Sequence, residues 1–439
     1  MTFFGSIPCD ECEICVAGLY GRCRDAYNRS IVPFRSLCAG VALALALPST
    51  AAAQSDPAVN APPHLTDIGD LWRLVRHKES GDDDVESGKK FLVIAPSIGS
   101  KPSTGLNGGL SGNLAFYSGD PSTTHISTVN GGFKVSQKGQ LLTGVRINAF
   151  SSGDRWFFQG DNRFSLTSQN TYGLGGETLS SDVENVKYDY VRLFEGAYRH
   201  VAPGLFVGGG INLSEHSNVR PGQASVATWD DSAYIEYSEQ HGFDPAGQTS
   251  GGANFGVFYD TRDNAINARR GWLASASYRT YFDGFLGGDS NWQELYLDVR
   301  AYRKISRDAR HRLAFWALGD LVTGGIAPYL DLPATASNDG RSARGYAEGR
   351  YRGEHLLYGE MEYRGTITPS GLVGVVAFLN MTTVDNAQTG DHLFESVAPA
   401  AGFGFRFLLN KRSRTNLCTD YGWGEHGSRG FYLAIQEAF

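Results

Sequence analysis

Hydrophobic and polar residues alternate with a period of two along most of this chain. The pattern is clearest over residues 290–304, where Leu295 and Leu297 fall on one face while Glu294 and Asp298 fall on the other. Such alternation predicts strands with one apolar and one polar face. It fits the interior of a soluble sandwich and also a membrane barrel, whose apolar face contacts lipid.

The length and spacing of the predicted strands favour the membrane barrel. The strands have about 9–14 residues, which matches a tilted crossing of the bilayer. The longest connections, at 216–247 and 324–352, join odd to even strands, whereas even-to-odd connections are short, as in barrels with long outer loops and short periplasmic turns. The predicted fold class is therefore all-β, a transmembrane antiparallel β-barrel of about 16 strands over residues 88–439. The predicted strands are 91–98, 106–117, 125–135, 140–150, 155–166, 187–200, 203–215, 248–260, 271–282, 290–304, 311–323, 353–366, 370–382, 398–409, 413–424 and 430–439.

The N-terminal region has the order of a secretory signal peptide. Arg35 precedes an apolar run over residues 37–47, Pro48 ends the run, and the alanines at 51–53 offer a small-residue cleavage site. We predict a signal peptide over residues 1–53; the alternative is a short buried helix. The apolar run is too short to span a membrane.

Residues 1–30 contain Cys9, Cys12 and Cys15, which have the two-residue spacing of a metal site. They lie upstream of the predicted cleavage site, so we interpret this stretch as a start codon assigned too early. Residues 54–87 are predicted to be a short periplasmic lead-in with one amphipathic helix over residues 66–77. That helix would place Ile68, Leu71, Trp72 and Val75 on one face.

Composition narrows the function classes. A net charge of −7 does not provide the positive charge that a nucleic-acid-binding protein needs. The sequence has no Gly-x-Ser-x-Gly motif, and its 10 histidines form no spaced ligand pair. We therefore expect no enzyme, no metal site and no cofactor. After cleavage Cys418 would be the one remaining cysteine, which excludes an internal disulfide.

Three motifs together give the chain a family resemblance. Over residues 88–439 it resembles the BamA/TamA-type bacterial surface antigen superfamily of outer-membrane β-barrels. The first motif is the turn between strands 8 and 9, the second lies in the long loop before strand 12, and the third is the closing segment from Gly402 to Phe439. The turn motif comprises Tyr259, Asp260, Arg262, Asp263, Arg270 and Gly271, and the loop motif comprises Arg344, Gly345 and Tyr346.

The resemblance implies that the tip of the long loop folds back and partly plugs the lumen. A buried arginine there requires a carboxylate, because an unpaired buried charge is costly. Glu360 and Glu362 lie two residues apart on strand 12 and share one face. We predict that Arg344 pairs with Glu362, with Glu360 as the second choice; a solvated Arg344 is the alternative. On strand 13, Asn380 stands where the family usually has a second acidic residue, and it can still accept a hydrogen bond.

The other two motifs are predicted to be structural. Asp260 and Asp263 can cap a tight periplasmic turn, while Arg262 and Arg270 can pin it or meet lipid head groups. The closing strand carries the C-terminal barrel signal on its lipid face. That signal comprises Phe431, Leu433, Ile435 and Phe439.

The expected location is the bacterial outer membrane. Family members that insert or secrete proteins carry periplasmic POTRA domains, and the segment between the predicted cleavage site and strand 1 is too short for one, which suggests a barrel-only, POTRA-less branch. The expected partners are outer-membrane lipid, the barrel assembly machinery during biogenesis, and a client outer-membrane protein or lipid. We expect a role in inserting proteins or lipids or moving them across the membrane; the alternative is a passive pore or a structural or binding protein.

Pro96 lacks a backbone N–H and so weakens the hydrogen bonding of strand 1. The contact between the first and last strands is therefore the expected weak seam of the barrel.

Overall fold

The computed structural model describes residues 66–68, 70, 90–101, 105–307, 310–337 and 341–439. The predicted signal peptide over 1–53 lies outside the described residues. So does most of the predicted helix over 66–77, of which Ile68 and Asp70 are described and helical. No helix among the described residues is long and apolar enough to cross a membrane.

The described residues form sixteen antiparallel strands that close into a barrel, each strand lying beside its neighbours in the sequence. The predicted fold class is confirmed, including the number of strands. The strands are β1 (Lys90–Lys101), β2 (Gly105–Phe116), β3 (Ser127–Ser136), β4 (Leu141–Phe150), β5 (Trp156–Thr171), β6 (Glu184–Ala202), β7 (Leu205–Pro221), β8 (Gln248–Asp260), β9 (Gly271–Tyr281), β10 (Trp292–Lys304), β11 (His311–Gly325), β12 (His355–Thr366), β13 (Val373–Asp385), β14 (Ala398–Asn410), β15 (Thr415–Gly424) and β16 (Arg429–Ile435).

Alternation along the strands gives the barrel an apolar exterior and a polar lumen. On β14, Phe403 and Phe405 point outward and are 50% and 44% exposed, whereas Arg406 is buried in the interior. Large apolar side chains exposed on the outside of a closed sheet are stable only against lipid. The outward face of the barrel is therefore its membrane surface.

The three longest described strands extend well beyond the length of a membrane crossing. β5, β6 and β7 have 16, 19 and 17 residues, and a crossing takes about 9–11. Their ends extend beyond the bilayer on the side of the long loops. The loop between β7 and β8 carries the helix α1 (Ala233–His241), which begins after Ser232; the Ser232 side chain accepts a hydrogen bond from the Ile235 amide.

The connection between β11 and β12 folds into the barrel, as predicted for the long loop before strand 12. We call its described residues, 326–337 and 341–354, the inward loop. Its outer part packs against α1, because the Tyr237 hydroxyl donates a hydrogen bond to the Ala327 carbonyl at 2.9 Å and the Tyr234 and Tyr329 rings meet edge to face. The inward loop and α1 therefore share one hydrophobic core.

The C-terminal end of the barrel differs from the prediction. The predicted last strand reached Phe439, but β16 ends at Ile435, and Gln436 has a φ of 77°, which turns the chain inward. Phe439 does not face lipid: it is 6% exposed and packs on Tyr302 and Trp316. We call residues 436–439 the C-terminal tail.

The seam between the first and last strands is sparsely paired. Among the described residues, one ladder pair, Ser100 with Phe431, joins β1 to β16. By contrast, β1 pairs with β2 along its whole length, from Lys90 to Lys101. Because β16 has 7 residues against 12 in β1 and the tail leaves the wall after Ile435, the end of β1 nearest Lys90 has no β16 backbone beside it.

Candidate functional site

The inward loop carries Arg344 into the centre of a buried cluster of charges. Arg344 is 2% exposed, and its Nη2 atom donates hydrogen bonds to both Glu360 and Glu362 on β12. Its Nη1 atom donates to Oδ2 of Asp420 on β15 at 2.7 Å. The guanidinium also lies over the Phe378 ring, 3.8 Å from its centroid. One arginine thus contacts three carboxylates and one aromatic face, which fits its rigid planar geometry.

The neighbours of Arg344 in the loop motif fix the tip against the wall. Gly345 has a φ of 116°, and a Cβ there would lie 2.9 Å from the Ala400 Cβ, so glycine suits both the conformation and the close approach. The Tyr346 hydroxyl donates a hydrogen bond to the Pro399 carbonyl at 2.5 Å. Burial raises the pKa of Tyr346 to about 12, which keeps this hydroxyl a donor.

Asn380 contacts the same tip through its amide nitrogen. Its Nδ2 atom donates a hydrogen bond to the backbone carbonyl of Arg344 at 3.0 Å. Asn380 is directly opposite Glu360 in the ladder between β12 and β13. The Asn380 side chain therefore acts as a hydrogen-bond donor that holds the loop backbone, whereas the guanidinium of Arg344 binds the carboxylates.

The charge cluster continues to the C-terminal tail along two routes. Asp420 also accepts a hydrogen bond from Arg406 at 2.6 Å, and Arg406 Nε donates to Glu437 of the tail at 2.6 Å. On the second route Glu362 accepts from Arg364 Nε at 2.5 Å, and Arg364 Nη2 donates to the Phe439 carbonyl at 2.9 Å. The tip of the inward loop and the tail are therefore held by one network. We call it the lumenal network; it comprises Arg344, Glu360, Glu362, Arg364, Arg406, Asp420 and Glu437.

The predicted turn motif lies at the periplasmic ends of β8 and β9. Asp260 accepts hydrogen bonds from the Arg262 amide, Nε and Nη2 at 2.9, 3.0 and 2.7 Å. Asp263 accepts from the amides of Arg269 and Arg270 at 2.7 and 3.2 Å. These are the side-chain to backbone bonds that stabilise tight turns.

The two residues that flank this turn lie on the wall. Tyr259 is 39% exposed on the outer surface of the barrel. Gly271 has a φ of 103°, and a Cβ there would lie 2.3 Å from the Thr261 carbonyl oxygen, so the turn closes around a glycine.

The predicted C-terminal signal is divided between two environments. Phe431 is 41% exposed on the outside, Leu433 is half-buried and Ile435 is buried. Phe439 belongs to the interior, where the lumenal network holds its carbonyl.

Sequence comparisons find no match: no family model matches the chain, and no curated protein does. Solved structures do match its fold. The chain superposes on BamA from Haemophilus ducreyi, solved without POTRA domains 1–3, with a TM-score of 0.51 and 12% identity over 79% of this chain and 70% of that one. It superposes on CdiB from Acinetobacter baumannii with a TM-score of 0.50 and 10% identity, over 79% of this chain and 59% of that one.

The chain folds as a BamA/TamA-type outer-membrane barrel. Within this BamA-type barrel, sequence reasoning missed Asp420 as a partner of Arg344 and Glu437 as a partner of Arg406. The sequence carried a signal that Asp420 faces the lumen, because it alternates with outward Tyr421 on β15, but no signal that it meets Arg344. Glu437 had none, since its inward position depends on the turn at Gln436.

The lumen of the BamA-type barrel is only partly filled. The inward loop and the tail occupy the side of β11–β16, and cavities of about 460 and 280 Å³ lie between the described residues, mainly along β2–β10. Charged wall residues line both cavities, including Asp161, which pairs with Arg163 at 2.6 Å. Such cavities hold water.

Proposed function

We propose that this barrel assists the insertion of proteins or lipids into the outer membrane, and that a client strand pairs at the seam between β1 and β16. The observation that carries the proposal is the sparsely paired edge of β1. Backbone N–H and C=O groups on such an edge form a template for another strand. The edge of β1 lies in the barrel wall and therefore borders the lipid directly.

The lumenal network gives the seam a control element. The tail leaves the wall because Gln436 turns inward and Glu437 binds Arg406. The same network holds Arg344 at the tip of the inward loop. If the loop tip moves, the tail loses part of its anchor. The position of the inward loop and the strand pairing at the seam are therefore coupled.

Membership of the surface antigen superfamily is part of this proposal. The order of the turn, loop and closing motifs supports it, and so does the likeness of the fold to BamA and CdiB. The proposed partners are a client outer-membrane protein or lipid, together with the barrel assembly machinery during the barrel's own biogenesis.

The second candidate function is a passive pore. The cavities of about 460 and 280 Å³ beside the inward loop favour it, because their walls are polar and charged. In this case the inward loop would narrow a permanent conduit, and the seam would have no role.

The test refolds residues 54–439 into liposomes and records how fast a small client barrel folds there, as a heat-modifiable gel shift. The proposal predicts a rate well above that of empty liposomes. Arg344→Ala should remove the acceleration, whereas Arg303→Ala, which changes an exposed arginine of β10 outside the network, should keep it. An unchanged client rate with the wild-type protein would refute the insertion role, and steady conductance would then support the pore.

A further inference from the structure

The periplasmic end of the barrel contains a small cavity with a strongly cationic wall. It lies beneath the turns that connect β8 to β9, β10 to β11, β12 to β13 and β14 to β15, and its volume is about 80 Å³. Among the described residues that line it, none is acidic. The lining cations that matter here are Arg269, Arg312, Arg364, Arg406, Lys411 and Arg414.

The cations at the rim of this cavity already bind carboxylates of the same chain. Arg414 Nη1 lies 2.7 Å from Oδ2 of Asp263, and Lys411 Nζ lies 3.0 Å from Oδ2 of Asp70. The rim of the cavity therefore attracts anions, and its cations Arg414 and Lys411 are paired with carboxylates of the chain itself.

Two further cations of the lining have no ion-pair partner among the described residues. Neither Arg269 nor Arg312 forms an ion pair with the described acids, and Arg312 has Asn267 as its neutral hydrogen-bond partner at 2.7 Å. Both line the cavity. A concave site with cationic charge left over favours a bound anion.

Buried donors in the cavity wall also lack acceptors. The Nε atom of Arg312 and the Nη1 atom of Arg364 are buried and have no hydrogen-bond partner, and Arg364 as a whole is 2% exposed. Buried N–H groups of native proteins are nearly always paired, so two unpaired guanidinium donors in one cavity indicate a missing acceptor.

We propose that this cavity, which we call the turn pocket, binds a phosphate group. Guanidinium forks recognise phosphate oxygens with paired, charge-assisted hydrogen bonds. A water molecule needs roughly 10–15 Å³ of space of this kind, so 80 Å³ holds a tetrahedral oxyanion with some water. The periplasmic turns of an outer-membrane barrel lie at the level of the inner-leaflet head groups, and the phosphate comes from an anionic phospholipid or from free phosphate.

The experiment uses residues 54–439 in maltoside micelles, which contain no phosphate. One arm titrates inorganic phosphate by calorimetry at constant ionic strength set with chloride. The other arm measures by native mass spectrometry whether phosphatidylglycerol is retained in preference to phosphatidylcholine with the same acyl chains. Arg312→Gln and Arg269→Gln each remove one cation of the turn pocket.

The matched control is Arg199→Gln, which removes an exposed arginine near the periplasmic end of β6, outside the turn pocket. We expect saturable binding that falls about tenfold or more in each pocket variant, because a charge-assisted contact is lost. Arg199→Gln should bind as the wild type does, and Arg312→Lys should retain part of the affinity. A heat-modifiable gel shift verifies that each variant is folded.

The two arms identify the source of the phosphate. Retention of phosphatidylglycerol that inorganic phosphate competes away assigns the turn pocket to a lipid head group, and saturable inorganic phosphate without lipid retention assigns it to the free ion. Absence of both would overturn the proposal. An equal loss of binding in Arg199→Gln would overturn it too, since general surface charge would then explain the binding.

Discussion

Nη1 of Arg344 lies 2.7 Å from Oδ2 of Asp420, a contact that joins the tip of the inward loop to β15 inside the lumen. The two residues are far apart in the sequence, and Asp420 in turn holds Arg406, which binds the C-terminal tail. This contact therefore connects the inward loop to the C-terminal end of β16, which forms the seam.

Removal of Arg344 should release the inward loop from its site in the lumen. In Arg344→Ala, Glu360, Glu362 and Asp420 lose their shared partner, and breaking a buried ion pair costs about 3–5 kcal/mol. The inward loop should leave its site more often, so planar-bilayer recordings should show larger or noisier openings. Arg303→Ala should conduct as the wild type does, and quiet traces in Arg344→Ala would contradict this role.

Asn380→Asp should weaken the loop tip although it restores the acidic residue that the resemblance leads one to expect. A carboxylate cannot donate to the Arg344 carbonyl, which Asn380 Nδ2 now does at 3.0 Å. It would also add a further negative charge next to Glu360. We expect a loss of about 1–3 kcal/mol, seen as a lower temperature for the heat-modifiable gel shift. A higher transition temperature would mean that the lumenal network lacks negative charge.

The docking of the inward loop should depend on pH through Asp331. Burial raises the pKa of Asp331 from 3.8 to about 6, although Ser250 and Ser214 donate hydrogen bonds to it. A raised pKa means that the folded form binds the proton more tightly, so the stabilisation is complete below pH 3.8 and is lost as the pH rises through about 6. The wild-type plug should therefore be more stable at pH 5 than at pH 8.

Asp331→Asn isolates this effect, because the amide keeps the size of the side chain and stays neutral. A shift of about two pKa units corresponds to roughly 3 kcal/mol, and the variant should lose that part of the pH dependence. The measurement is the gel-shift temperature of both proteins between pH 4 and pH 8. Parallel curves for the two proteins would rule Asp331 out as the responsible group.

The turn motif should contribute to the stability of the barrel without a role in client folding. Asp263→Ala removes the acceptor for the Arg269 and Arg270 amides and the partner of Arg414. The expected cost is about 1–2 kcal/mol, measured as a lower midpoint in urea-induced unfolding from liposomes. Asp182→Ala, at an exposed position in an outer loop, is the matched control. A client-folding rate that falls in Asp263→Ala at full stability would show that the turn acts directly.

Much of the fold could be predicted because each crossing strand carries its own alternation. On β12, for example, Glu360 and Glu362 are buried while Met361 is 42% exposed, and this pattern is visible in three consecutive letters. The C-terminal tail could not be predicted in this way. The alternation of Phe431, Leu433 and Ile435 continues smoothly into residues whose direction is decided by a positive φ at Gln436 and by partners elsewhere in the chain.

The candidate site was predictable in part for the same reason. Glu360 and Glu362 could be named as partners of Arg344 because they lie on the strand that directly follows the inward loop. Asp420 could not, since it comes from β15, and its place next to Arg344 depends on how far the loop tip reaches into the lumen. The expectation for strand 13 pointed to Asn380, which holds the loop backbone and not the guanidinium.

The most direct test of the proposed function is a disulfide that locks the seam between β1 and β16. Ser100 and Phe431 are ladder partners, and antiparallel partners have Cα atoms about 4.5–5.5 Å apart, which suits a disulfide. The double variant Ser100→Cys with Phe431→Cys would join β1 to β16, whereas Tyr421→Cys with Phe431→Cys would join β15 to β16, which are already fully paired. We predict that the first lock abolishes the acceleration of client folding, that reduction restores it, and that the second lock leaves it intact. Equal acceleration by the oxidised and reduced β1–β16 lock would contradict the seam as the site of action.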